Sequence, residues 1–200
     1  MTQDGVNTGR RRFLVVATSA MGAVAAAGVA VPFVRSWNPS EKAKAIGAPV
    51  RINVANVAEG ELVTGQWRGK PIFIVKRKAE MMAALSQDDL KARLKDANSE
   101  VVSQQPEWAA NDARARDGSD LSVLIGICTH LGCSPQFVPE VGPQDYDRNW
   151  VGGYFCPCHG SRFDLSGRVF NGSPAATNLE VPPYYIEDNV LTVGVEGPEA

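Results

Sequence analysis

Soft metal ligands are scarce in this 200-residue chain: it has four cysteines and two histidines, and none of either outside residues 128–159. It has no excess of charge of either sign, with 20 Lys and Arg against 22 Asp and Glu and a formal net charge of −2. That balance argues against a general nucleic-acid binder, which needs a basic face. Apolar residues are 44% and charged residues 21%, so the chain is neither disordered nor fibrous. The length suits one modest domain plus an appendage. Because the whole stock of soft ligands falls in one window of 32 residues, a metal is expected there.

Charge is missing altogether from Phe13 to Val34, a run of 22 residues. As a helix it would be just over ~30 Å long, the depth of a bilayer core. It is apolar on every face and sits at the terminus, which argues against a buried core helix. It exceeds the apolar region of an ordinary signal peptide, and Arg35-Ser36-Trp37 is a poor cleavage site, so an uncleaved anchor is expected. Arg10-Arg11-Arg12 precede the span and only Arg35 follows closely, which puts the N-terminal tail in the cytoplasm and the remainder outside. Gly9-Arg10-Arg11-Arg12-Phe13-Leu14 also resembles a twin-arginine signal, the export route of proteins that fold around a cofactor first. Beyond residue 34 there are 17 basic and 21 acidic residues, the composition of a soluble head.

The expected organisation is a tail over 1–12, a transmembrane anchor over 13–34, a hinge or linker over 35–49 and a head over 50–200. Residues 38–49 are small and polar with Pro at both ends, which reads as a flexible tether. Strand-like runs follow at Arg51–Val54, Leu62–Trp67 and Pro71–Lys76, with Gly69-Lys70 as a turn. Residues 79–116 change to Ala, Asp, Lys, Arg and Gln. Ser86-x-x-Asp89 resembles a helix cap, and Leu90 and Leu94 are spaced for one helix face. Strand runs resume at Leu121–Ile127, Gly152–Phe155, Val181–Ile186 and Val190–Val195, with Asp188-Asn189 turning between the last two. The expected fold is mainly β: a small antiparallel sandwich or barrel with a helical insertion, on one N-terminal transmembrane helix.

Two motif halves hold the ligands: Cys128-Thr129-His130-Leu131-Gly132-Cys133 and Cys156-Pro157-Cys158-His159-Gly160-Ser161. Zinc fingers pair their cysteines closely and place the histidines on a following helix, whereas here Cys-His is followed by Cys-His on loops. Zinc would also leave Cys133 and Cys158 without a task. A 2Fe–2S cluster with two thiolates on one iron and two imidazoles on the other takes four of the six and leaves one cysteine in each loop, placed to tie the loops together. Neutral imidazole in place of thiolate removes negative charge and favours the reduced cluster. Cys133 and Cys158, one in each loop, could form a disulfide outside the cytosol or remain two buried thiols.

These motifs resemble the Rieske iron–sulfur subunits of bacterial quinol–cytochrome c reductases. The resemblance runs through the anchor, the linker, Trp67-Arg68-Gly69-Lys70-Pro71-Ile72-Phe73, the helical insertion, both loops and the C-terminal hairpin. It implies one Rieske-type 2Fe–2S cluster with Cys128 and Cys156 on one iron and His130 and His159 on the other. It further implies a Cys133–Cys158 disulfide and cluster loops at 128–133, 156–161 and 172–175, the third being Gly172-Ser173-Pro174-Ala175. Ser161 matches a serine whose hydroxyl donates a hydrogen bond toward a cluster sulfide, raising the potential. Where many relatives carry a donating Tyr, this chain has Phe163, which implies a lower potential.

The implied function is one-electron oxidation of ubiquinol, with His159, beside His130, accepting the quinol's hydrogen bond and proton. The electron then passes to the c-type cytochrome of the complex, and Leu131 belongs to the docking surface. The implied partners are cytochrome b and a c-type cytochrome within a dimeric complex of the inner membrane, with the head on the periplasmic side. Among rival Rieske proteins, a soluble ferredoxin lacks the anchor and the extra cysteine pair. The small subunit of arsenite oxidase is not expected to carry the Trp67–Phe73 segment and the long insertion. The plastoquinol-oxidising counterpart organises its head differently around the cluster.

Overall fold

Straight-chain and small apolar residues carry Thr8–Ser36 into helix, and β-branched and aromatic runs carry the head into strands. The computed structural model describes Gly5 and residues 7–197. The chain divides into two compact units, with the boundary between Ala45 and Ile46. Of the expected tail, residues 1–4 and 6 lie outside the described residues.

Helix α1, Thr8–Ser36, has 29 residues and none of them is buried. Asn7 caps it by accepting the Arg10 N–H at 3.0 Å. Its first turn has no acidic residue, while Arg10, Arg11 and Arg12 crowd the positive end of the helix dipole. Those arginines therefore do not serve the helix itself, which fits a role in topology. The helix is long and apolar enough to cross a membrane.

The expected coil of the linker is partly helical. Helix α2, Glu41–Gly47, occupies most of it. Ser40 caps this helix through its hydroxyl, which accepts the Ala43 N–H at 3.2 Å, and Lys44 pairs with Glu41 at 2.7 Å. Glu, Lys and Ala are good helix formers, and together with that cap they outweigh the short length. Irregular backbone remains only at 37–40 and 48–49.

The head is built from antiparallel strands. β1 (Val50–Asn53), β10 (Tyr184–Glu187) and β11 (Val190–Val193) form one sheet in the order β1-β11-β10. β2 (Leu62–Trp67), β3 (Lys70–Lys76) and β4 (Leu121–Ile125) form a second, β2-β3-β4. β5 (Gln136–Val138), β8 (Gly153–Cys156) and β9 (Ser161–Phe163) form a third, β5-β8-β9. β6 (Gly142–Gln144) and β7 (Asp147–Trp150) pair with each other. Every pair among these named strands is antiparallel, as the expected fold requires.

Several boundaries shift from the sequence reading, each for a local reason. The β2–β3 turn is Arg68-Gly69, with φ of 52° and 74°, and Lys70 already pairs with Trp67. Two central residues with positive φ match the right-handed twist of a tight hairpin. Asp188-Asn189 turns in the same way, with φ of 49° and 61°. The run from Val181 becomes a strand only at Tyr184, because Pro182 and Pro183 have no N–H to donate. Ser86 does not cap a helix start: it closes helix α3 (Ala79–Leu85), and helix α4 (Asp88–Lys91) begins after Gln87 without a side-chain cap.

Two hydrophobic cores result. The main core joins the sheets through residues such as Ile72, Ile74, Leu124, Tyr154, Phe163 and Leu191, and it includes Cys128 and Cys156. A second core seats the insertion, with Met81, Leu85, Leu90 and Leu94 against Trp150, Leu165 and Phe170. Leu94 lies past the end of α4, so the expected face is shared by a helix and the segment leaving it.

Candidate metal centre

Two loops, one leaving β4 and one joining β8 to β9, close in the same way. In the first, the Gly132 N–H donates to Cys128 O at 3.0 Å, and in the second the Gly160 N–H donates to Cys156 O at 2.9 Å. Both glycines have positive φ, 84° and 79°, a backbone shape that a side chain would strain. Each loop thus wraps one turn of chain around a Cys-and-His pair, which is why both motif halves carry Gly at that distance from the first Cys. A further bond from the Cys128 N–H to Cys133 O, at 2.7 Å, tightens the first loop.

The structure brings the expected residues together and sorts them by depth. Cys128 and Cys156 are each only 2% exposed, His130 is half-buried, and His159 is exposed. The two imidazoles meet edge to face with their centroids 4.8 Å apart. Cys133 and Cys158 form a disulfide with a Cα–Cα distance of 6.7 Å, so the free-thiol alternative does not hold. The sulfurs of Cys133, Cys156 and Cys158 lie within 4.8 Å of one another, which places the bridge directly beside the site. Leu131 is 71% exposed, next to His130.

The donor set suits a cationic cluster. The Nδ1 atom of His130 is buried and has no hydrogen-bond partner, a costly state that a metal ion would relieve. Burial pushes the Cys156 thiol up, the N–H groups of Cys158 and His159 pull it back down, and the neighbouring Cys128 thiol pushes it up again. Two buried sulfurs in contact cannot both be thiolates without a positive centre between them. The two thiols thus lie deeper than the two imidazoles, of which His159 is the more exposed.

A third segment completes the enclosure. Ser161 is fully buried, and its Oγ accepts the Ala175 N–H at 3.0 Å. Ser173 Oγ accepts the Arg162 N–H at 3.1 Å. Thr129 Oγ1 donates to Thr177 O at 2.7 Å, tying the first loop to the chain just past the third. Phe163 is fully buried opposite Tyr154 in the main core. Sequence reasoning missed Thr129, whose only signal was its place inside the motif. It also missed Lys95, whose ammonium reaches the third loop from a polar insertion with no motif.

Residues 49–184 match the model of the Rieske [2Fe-2S] domain, and residues 1–40 match that of the TAT signal of ubiquinol–cytochrome c reductase Fe–S subunits. The ubiquinol–cytochrome c reductase iron–sulfur subunit of Allochromatium vinosum is 51% identical over 97% of this chain and 92% of its own length. That of Blastochloris viridis is 43% identical over 94% and 93%, and that of Bradyrhizobium diazoefficiens 39% over 92% and 94%. The chain belongs to the Rieske iron–sulfur protein family. A Rieske 2Fe–2S cluster is accordingly its cofactor.

Proposed function

We propose that this Rieske protein is the electron-transferring iron–sulfur subunit of a ubiquinol–cytochrome c reductase, active only within that complex. The burial order of the site carries the reading: two thiols in the core, two imidazoles at the edge and a disulfide alongside. Cys128 and Cys156 would hold one iron, His130 and His159 the other. When bound, the cluster supplies a one-electron acceptor for quinol oxidation and a donor to the c-type cytochrome.

The chain's own residues do the rest. His159, the more exposed imidazole, accepts a hydrogen bond from the quinol hydroxyl and holds its proton at the outer ring nitrogen. His130 shares that edge, and the exposed Leu131 side chain adds apolar docking surface. The Ser161 hydroxyl donates toward the cluster, because its oxygen already accepts from Ala175 and its own proton is free. The partners are cytochrome b and a c-type cytochrome, in a dimeric complex. α1 anchors the chain in the bacterial inner membrane with the head on the periplasmic side. A soluble carrier or an arsenite oxidase subunit is not favoured, given the 51% identity over 97% of the chain.

Purified complex should show the electron paramagnetic resonance of a reduced mixed-ligand 2Fe–2S centre. Cys128→Ser, His130→Ala, Cys156→Ser and His159→Ala should each abolish it. An intact signal in any one of them removes that residue from the ligand set. Co-purification of a b-type and a c-type cytochrome tests the assignment to the complex.

A further inference from the structure

The segment leaving α4 reaches the metal centre through one side chain. The Lys95 ammonium donates to two carbonyls of the third loop, Ser173 O at 2.6 Å and Ala175 O at 2.7 Å. The N–H of that same Ala175 donates to Ser161 Oγ at 3.0 Å. Ser161 stands opposite Cys156 in the β8–β9 pair. A hydroxyl has one proton and two lone pairs. With a lone pair held by Ala175, the direction of the Ser161 proton depends on where the third loop puts that amide.

We propose that Lys95 is a positioning residue for the cluster: by gripping two carbonyls of the third loop it fixes the Ala175 amide, and so aims the Ser161 hydroxyl. The inference rests on reading Ser161 as a donor to the cluster. Its consequence is that the reduction potential is set partly from the helical insertion, by way of Ala175 and Ser161. The backbone around Lys95 is held independently of the ammonium. The Lys95 N–H donates to Val169 O at 2.9 Å, and the Asn171 N–H donates to Arg93 O at 2.8 Å. Asn178 Nδ2 donates to Asp96 O at 2.9 Å. Removing the ammonium therefore loosens the third loop without detaching the segment.

The test is a redox titration of the cluster signal in the membrane-purified complex for Lys95→Met, Lys95→Arg, Ser161→Ala and the Lys95→Met/Ser161→Ala double variant. Lys95→Met should lower the midpoint potential, equivalent to roughly a 3- to 5-fold loss in the equilibrium constant for reduction. Lys95→Arg, which keeps the charge and several donors, should restore most of it. In the Ser161→Ala background Lys95→Met should add no further fall, as two residues acting through one bond are not additive. An equal fall in both backgrounds would overturn the inference by showing a direct effect of the lost charge. An unmoved potential in Lys95→Met, with Ser161→Ala lowered, would overturn the Lys95 inference alone. An unmoved potential in Ser161→Ala would overturn the donor reading and the inference with it. Lys95→Gln is titrated alongside and carries the same comparison should Lys95→Met assemble no cluster.

Discussion

Two side chains two residues apart on β9 differ in whether they can donate a hydrogen bond. Ser161 can donate a hydrogen bond and Phe163 cannot, although both are fully buried. Ser161→Ala should lower the midpoint potential of the cluster and Phe163→Tyr should raise it. One bond favouring the reduced state by ~1–1.5 kcal/mol corresponds to roughly 40–65 mV. Redox titration reads both, and an unshifted Phe163→Tyr would mean that the new hydroxyl finds no cluster sulfur. At this scale the sequence was highly legible for the centre, because chemistry restricts the ligands to Cys and His and the chain has only six of them. Lys95 was illegible: one lysine in a polar insertion looks like any solvated charge until the fold carries it to Ser173 and Ala175.

Among the elements, strands with alternating or continuous apolar runs were readable, and β2 occupies the very residues expected of it. β6 and β7 were not, since Gly-Pro-Gln and Asp-Arg-Asn-Trp lack a strand's apolar period. What fixes them is tertiary: Asp147 on β7 is gripped by Arg93 at 2.6 Å and by Arg162 at 3.2 Å. A second such tie, invisible in sequence, is the buried Arg168. It pairs with Asp164 at 2.8 Å and donates to Leu85 O at 2.7 Å, fastening the insertion to the turn that leaves β9. The linker is the element that changed most, from a coil to α2 with a break at 37–40. If that break lets the head move between partners, extending the helix across it should stiffen the tether. The triple variant Asn38→Ala, Pro39→Ala, Ser40→Ala should slow cytochrome c reduction several-fold and leave the cluster potential unchanged. Turnover at the parent rate would rule out motion at this break.

The whole head is clamped about its centre by the Cys133–Cys158 bridge, which in the chain-entropy picture contributes about 3 kcal/mol. Its stability should also depend on alkaline pH. Burial holds the phenols of Tyr154 and Tyr184 above their ordinary value near 10. As pH rises past about 10 the unfolded chain loses these protons first and binds fewer than the folded head, so stability falls. Denaturant titrations between neutral and strongly alkaline pH should show this fall, and Tyr154→Phe should make it shallower. An unchanged slope in that variant would locate the alkaline sensitivity elsewhere.

The depth order of the centre has a kinetic consequence. With both thiols sealed in the core, His130 half-buried and His159 exposed, a cluster held as proposed would make the head a single-port device, its charge entering and leaving through the same small doorway. A donor seated there would block the acceptor, and an acceptor seated there would block the donor. Exchange between them would then be strictly sequential, with the ceiling on throughput set by how fast one guest vacates, and neither partner could relieve the congestion by binding more tightly.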